Sequence, residues 1–261
     1  GNIAPHLPDT LLSQALEAAR AIQDEYDRTN ALGNIAPHFP DNLPEAPEAL
    51  EAARAIQDEF LRALALGNIA PHLPDTLLSQ ALKAAQAISD EYSRALALGN
   101  IAPHLPDTLL SQALEAARAI QDEYSRALAL GNIAPHLPET LLSQALKAAQ
   151  AISDEYYRAL ALGNIAPHLP KTLLSQALET TWTIQNEYYR TNTFSILLQN
   201  LKPSYLDFSF WKKNLDVLAY RTRKDLLKDI SALSPVIIAL GGKEALAATA
   251  RAIQEVGRQW K

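Results

Sequence analysis

The chain has 261 residues, 48% of them hydrophobic, and a formal net charge of −6, so it is long enough to bury a sizeable core in one or two domains. The absence of cysteine excludes disulfides, thiolate metal sites and cysteine nucleophiles together. No apolar run reaches the ~18 residues of a membrane span, and no charged-then-apolar leader opens the chain, so the expected location is cytoplasmic.

From its first residue the sequence is a repeat. "GNIAPHLPDTLLSQAL" at Gly1 recurs at Gly67 and Gly99, and with small changes at Gly131 and Gly163, while Gly33 opens a further copy. The period is 32 residues, except that "DNLPEAPEAL" (41–50) is two residues longer than "DTLLSQAL". Copies alternate between "LEAARAIQDEY" and "LKAAQAISDEY", as a duplicated 64-residue block would. The insertion favours a natural gene over an engineered array. Methionine is absent even at position 1, so the expectation is a fragment starting at Gly1 inside a longer protein.

Each unit reads as two helices. In the fourth, Leu110, Ala113, Leu114, Ala117 and Ile120 follow the i, i+3, i+4, i+7 spacing of one buried stripe. Pro106 suits the first turn, and Asp107 complements the positive helix end. A second stripe runs through Tyr124, Ala127 and Leu128 into Ile133, Ala134 and Leu137 of the next copy, keeping phase across Gly131 and Pro135. Proline's ring clashes with the carbonyl four residues back, which here belongs to a glycine. That predicts a kinked helix ending near His136, with a break at Gly131 as the alternative. Asp122 is placed to cap this helix, with Arg126 four residues on.

Two helices every 32 residues predict an all-α fold, a right-handed α-solenoid of about eight repeats on the order of 80 Å long. Six near-identical hairpins fill residues 1–194, and two divergent repeats, 195–261, act as a C-terminal cap. Residues 1–194 carry 12 Lys/Arg against 23 Asp/Glu, and residues 195–261 carry 11 against 6. An acidic body therefore precedes a basic end.

In the last repeat, "SPVIIAL" followed by "GGKE" (241–244) has the outline of a phosphate-binding loop. The motif requires glycine five residues before its second glycine and Ser/Thr after the lysine; this chain has Ile237 and Glu244 there. Gly241–Gly242 reads instead as an inter-helix turn, because "EALAATARAIQEV" aligns with "QALEAARAIQDEY". The array and the tail "ALSPVIIALGGKEALAATARAIQEVGRQW" resemble the C-terminal helical repeats, HEAT- or TPR-like, of bacterial multidomain signalling proteins with an N-terminal STAND-type NTPase or other effector domain. The resemblance spans nearly the whole chain and rests on packing motifs. It implies a sensor or scaffold half and carries over no catalytic residue.

Candidate chemistry divides into recurrent and unique residues. All six histidines (6, 38, 72, 104, 136 and 168) occupy one repeat position. Ligands to one metal place their nitrogens ~2 Å from it, whereas stacked units hold equivalent positions about a helix diameter apart. These histidines therefore read as helix-end residues, favoured by the dipole when protonated, and no metal or cofactor is expected. The Asp-Glu pairs at every turn read as caps and solvated charge, since an active site occurs once. Arginines 28, 62, 94, 126, 158 and 190 read as ties between units or to the local Asp.

Unique aromatics are more informative. After the recurring tyrosine, Ser93 and Ser125 become Tyr157 and Tyr189, and the position of Arg118 holds Trp182. Serine and arginine equivalents imply exposure, so Tyr157, Trp182 and Tyr189 are candidate partner-binding residues, whereas Phe208, Phe210 and Trp211 read as cap filling. Lys212, Lys213, Arg221, Arg223 and Lys224 form a basic flank, for which an acidic body disfavours nucleic acid. The expected function is a non-enzymatic scaffold or sensor module that binds another protein or another domain of its parent. The alternatives are a self-assembling module, a homo-oligomer joined through the exposed N-terminal repeat face, and a nucleic-acid-binding regulator.

Overall fold

The computed structural model describes residues 9–39, 46–200 and 222–259. Each repeat has a first helix: α1 (Asp9–Arg20), α3 (Ala46–Arg54), α5 (Asp75–Gln86), α7 (Asp107–Arg118), α9 (Glu139–Gln150) and α11 (Lys171–Thr181), and a proline leads into the last four. Pro106 sits just outside α7, and its carbonyl accepts the N–H groups of Leu109 and Leu110. Leu110, Ala113, Leu114, Ala117 and Ile120 are all buried, as their spacing requires. Fully burying a side chain of the size of Ile120 is worth about 1.5–3 kcal/mol.

The second helices are α2 (Glu25–Ile35), α4 (Glu59–Ile69), α6 (Glu91–Ile101), α8 (Glu123–Ile133), α10 (Glu155–Ile165) and α12 (Glu187–Gln199). Asp24, Asp58, Asp90 and Asp122 cap four of them, each accepting the backbone N–H three residues on. The α-helix does not continue to His136. It ends at Ile133, and Ala134–His136 closes as a 3-10 turn with Pro135 in its first turn, where the missing N–H costs nothing.

Gly131 stays helical, and a neighbour explains it. A Cβ on Gly131 would lie 2.8 Å from the Cβ of Asn164 in the next repeat, and one on Gly99 would lie 2.7 Å from that of Asn132. Within residues 1–165, α4, α6 and α8 each pack on the second helices before and after them, so small residues are needed on two sides. Ser125, Ala127, Ala129, Leu130, Gly131 and Ile133 are buried accordingly. The stripe expected from Tyr124 needs correction, because Tyr124 is 39% exposed. A helix flanked on both sides buries more than one stripe, and its first turn projects beyond its neighbours.

The chain forms two compact units, Gly1–Ile165 and Ala166–Lys261. The change of sequence pattern at 194/195 falls inside the second. There α11 packs on α12, and α12 on the long α13 (Arg223–Gln259). The run before Gly241 is helix rather than strand, and Gly242, at φ 71°, interrupts α13 in the left-handed conformation glycine accepts readily. No helix among the described residues is long and apolar enough to cross a membrane. Together these elements form an all-α solenoid of two-helix repeats.

Candidate protein-interaction surface

The surface is built on a polar clamp that joins each repeat to the next. Glu25 accepts the N–H groups of Gln57 and Asp58, both at 2.8 Å. Glu59 does the same for Ser89 and Asp90, Glu91 for Gln121 and Asp122, and Glu123 for Ser153 and Asp154. The acceptor is the first residue of a second helix, and its donors are the loop entering the next second helix. Arginine completes the joint. Arg94 reaches Glu91 with one guanidinium nitrogen at 2.8 Å and the Ile88 carbonyl with the other at 2.7 Å, a planar fork that lysine lacks.

The paired N–H groups hold the Glu25, Glu59 and Glu91 carboxyls below the usual carboxylate value. At Glu123 burial is the largest single influence and pushes upward, but the N–H groups of Ser153 and Asp154, with Arg126, outweigh it. The glutamates therefore do more than carry solvated charge. The arginines pair with these glutamates three residues back rather than with the capping Asp.

Beside each clamp stands an aromatic ring. Tyr26, Phe60, Tyr92, Tyr124 and Tyr156 occupy one position of successive repeats and are 39–61% exposed. Tyr92 and Tyr124 stack nearly parallel, with centroids 6.1 Å apart. Tyr157 enters the same row, 5.6 Å from Tyr124 and 5.2 Å from Tyr156. The result is a ladder of exposed rings at the N-terminal ends of the second helices, fixed by hydrogen-bonded backbone on either side.

No protein-family model matches the sequence, and no curated protein does. Solved structures do. The chain superposes on Kap121p with TM-score 0.62 at 16% identity, covering 98% of this chain. A multiply substituted Kap121p gives 0.64 at 15%, and Kap121p bound to Nup53p gives 0.60 at 17%, again over 98% of the chain. The fold is a helical-repeat solenoid similar to that of Kap121p. The chain spans 32% of the length of each of these structures.

Within this solenoid the residues singled out by sequence fall in different places. Tyr157 lies in the first compact unit and joins the ladder, half-buried. Trp182 and Tyr189 lie in the second unit, also half-buried. Trp182 caps α11 and packs on the buried Phe194 at 4.8 Å, and Tyr189 meets Tyr188 edge-on at 5.7 Å. Arg223 and Lys224 are exposed at the start of α13, whereas Lys212, Lys213, Arg221, Phe208, Phe210 and Trp211 lie outside the described residues.

One premise behind the aromatic site is corrected. Ser93 and Ser125 are 3% and 2% exposed, so serine there does not mark an exposed position. The Ser93 N–H lies 2.8 Å from the Asp90 carboxylate, and its hydroxyl also binds that carboxylate, holding it below its usual value. A small hydroxyl is buried there because it completes the cap.

Among the described histidines, burial lowers His72 and His104, with neighbouring histidines adding to it: His104 and His38 act on His72, and His136 acts on His104. His72 and His104 are thus shifted toward the neutral form, against the expected benefit of protonation at a helix end. No group of three His, Cys, Asp or Glu residues suited to a metal occurs among the described residues.

Proposed function

We propose that the chain is a non-enzymatic protein-interaction scaffold whose binding surface is the ladder Tyr26, Phe60, Tyr92, Tyr124, Tyr156 and Tyr157. The observation that carries this reading is the exposure of one aromatic per repeat on backbone already pinned by the glutamate clamps. Rigid exposed rings anchor a partner at low entropic cost, and the acidic body steers cationic partners toward it. Support from the fold type comes from Kap121p, which has been crystallised with Nup53p and with the extreme C-terminus of the protein phosphatase Cdc14p. Trp182 and Tyr189, with the basic residues Lys212, Lys213, Arg221, Arg223 and Lys224, form a second contact region in this proposal, in the divergent cap of residues 195–261 and the repeat before it. A setting within a larger signalling protein rests on sequence resemblance alone.

The test is a selection of random displayed peptides on the immobilised chain, followed by affinity measurements on the Tyr92→Ser/Tyr124→Ser/Tyr156→Ser variant. Selected peptides lose at least about tenfold in affinity, or 1.4 kcal/mol, while the variant stays folded. Unchanged affinity for every selected peptide would remove the ladder as the site. Self-association through the first repeat is a second reading, motivated by the partial exposure of Ile22 and Leu11.

A further inference from the structure

In the first compact unit, α4, α6, α8 and α10 each present one stripe that stays open to solvent. In α6 it runs through Tyr92, Leu96 and Asn100, at i, i+4 and i+8, and in α8 through Tyr124, Leu128 and Asn132. The rings are exposed, and the leucines and these two asparagines are half-buried. The apolar middle is bounded in sequence. Leu64, Leu96, Leu128 and Leu160 give way to Asn30 in the first repeat and Asn192 in the sixth. Only the repeats between share the full pattern of ring, leucine and amide.

The amides are held in place and unused. A Cβ on Gly67 would lie 2.6 Å from the Asn100 Cβ and 3.0 Å from its Nδ2; one on Gly99 would lie 2.7 Å and 2.9 Å from the same atoms of Asn132. Glycine thus makes room for the asparagine of the next repeat, whose stem rests on it. The side chains of Asn68, Asn100, Asn132 and Asn164 nevertheless make no hydrogen bond among the described residues. At the ring end of the stripe stand the capping carboxylates Asp58, Asp90, Asp122 and Asp154, all exposed. Each repeat's arginine is taken by its glutamate, so the aspartate leaves a net negative charge beside every ring.

Spacing and chemistry together select the occupant. Packed helices lie about 8–10 Å apart, and α4, α6, α8 and α10 pack in that order. Three residues of polyproline II advance about 9.3 Å and return to the same face. Three residues of a β-strand cover about 10 Å but end on the opposite face, so a strand turns alternate faces to successive repeats. Seven residues of α-helix advance about 10.5 Å, but a helix bonds its own backbone and leaves the amides idle. Polyproline II has no internal hydrogen bonds, and proline removes its N–H, so such a segment offers carbonyl acceptors to amide donors. Aromatic-lined grooves take segments of this kind.

We infer that the aromatic ladder binds a proline-rich segment in the polyproline II conformation, with lysine or arginine between its prolines. A proline at every third residue packs on one ring and its leucine, Tyr92 with Leu96 and then Tyr124 with Leu128. Asn100 and Asn132 donate to carbonyls of the segment, and its basic residues face Asp90 and Asp122. The run from Phe60 to Asn164 accommodates about ten residues. This inference rests on the ladder reading above and names the class of its ligand.

The experiment is fluorescence anisotropy of the whole chain with a labelled peptide of about fifteen residues built on a Pro-Pro-Lys repeat. Two control peptides keep every lysine and carry alanine or valine in place of proline, which favours helix or strand respectively. The Pro-Pro-Lys peptide binds with a Kd below about 100 µM, and each control binds at least about tenfold more weakly. The Asn100→Ala/Asn132→Ala variant loses at least about fivefold in affinity for it. Asn164→Ala, at an exposed position, gives the same reading at smaller amplitude should the double variant unfold. Absence of Pro-Pro-Lys binding to about 100 µM would overturn the inference. So would equal or tighter binding of the alanine or valine peptide, which marks a helical or strand-like occupant, or an affinity that the asparagine changes leave untouched in a folded variant. When selected peptides bind through Tyr92, Tyr124 and Tyr156 but the Pro-Pro-Lys peptide does not bind, the ladder stands and this inference alone falls.

Discussion

Residues 9–26 and 107–124 have the same sequence, yet they live in different surroundings. Ile120 is fully buried and Ile22 is half-exposed; Tyr124 is 39% exposed and Tyr26 is 61% exposed. The Gln121 N–H binds Glu91, while the Gln23 N–H has no counterpart acceptor among the described residues. Identical residues form identical helices, so local structure belongs to the sequence of one repeat. Burial and the clamp belong to the relation between repeats. Stability in such an array is therefore a sum of repeat terms and nearest-neighbour terms, and the two copies separate them.

The largest expected contrast lies in the core. Ile120→Ala should cost about 2–5 kcal/mol, the range for a large-to-small change at a filled site. Ile22→Ala should cost no more than about half of that, because part of its surface already meets water. Denaturant unfolding of the two variants measures the difference, and equal losses would show that the first repeat's face is covered in solution.

The joint itself is next. Glu91→Ala leaves two loop N–H groups and a guanidinium without their carboxylate, a loss of about 1–3 kcal/mol. Glu187→Ala removes the same residue type from an exposed position with no described bond and should change stability by less than about 0.5 kcal/mol. The same joint sets a pH dependence. The folded-state pKa values of Glu25, Glu59, Glu91 and Glu123 are lowered, so in acid the unfolded chain binds more protons than the folded one. Their contribution is full above the ordinary carboxylate value and is lost as pH falls through the lowered folded values. His72 and His104, also lowered, add a loss that begins as pH falls through the ordinary histidine value. Thermal melts from pH 8 downward should therefore decline in two stages, and Glu91→Gln should flatten only the more acidic one.

The spacing contrast is smaller. Gly99→Ala brings a Cβ to 2.7 Å from the Asn132 Cβ, an overpacking cost of about 1–3 kcal/mol that helix propensity offsets by about 1. The ladder has a small effect on stability. Tyr92→Ser or Tyr124→Ser removes an exposed ring and should lower stability by less than about 1 kcal/mol, measured by the same unfolding curves.

The architecture was legible because a 32-residue period, paired amphipathic segments and recurring Asp caps all point to stacked helical hairpins. Three features of the site were not. The exposure of Tyr124 was hidden by a one-stripe reading, which fails for a helix packed on both flanks. The role of Glu91 depends on where the next repeat's loop N–H groups fall, although its persistence at Glu187, beside an Asp that has become Asn186, was a usable signal. Ser93 suggested exposure through its polarity, whereas its hydroxyl is satisfied internally. The first two misses concern contacts between repeats, which periodicity within one repeat does not encode, and the third concerns a cap within one repeat.

The central claim is that a polypeptide partner lies along the aromatic row of the first compact unit. The most direct measurement is photo-crosslinking with a selected peptide carrying benzophenone at successive positions, mapped by mass spectrometry. The account predicts crosslinks that step through the neighbourhoods of Tyr92, Tyr124 and Tyr156 in order along the peptide. Crosslinks confined to the first helices α5, α7 and α9, or to α13, would contradict it.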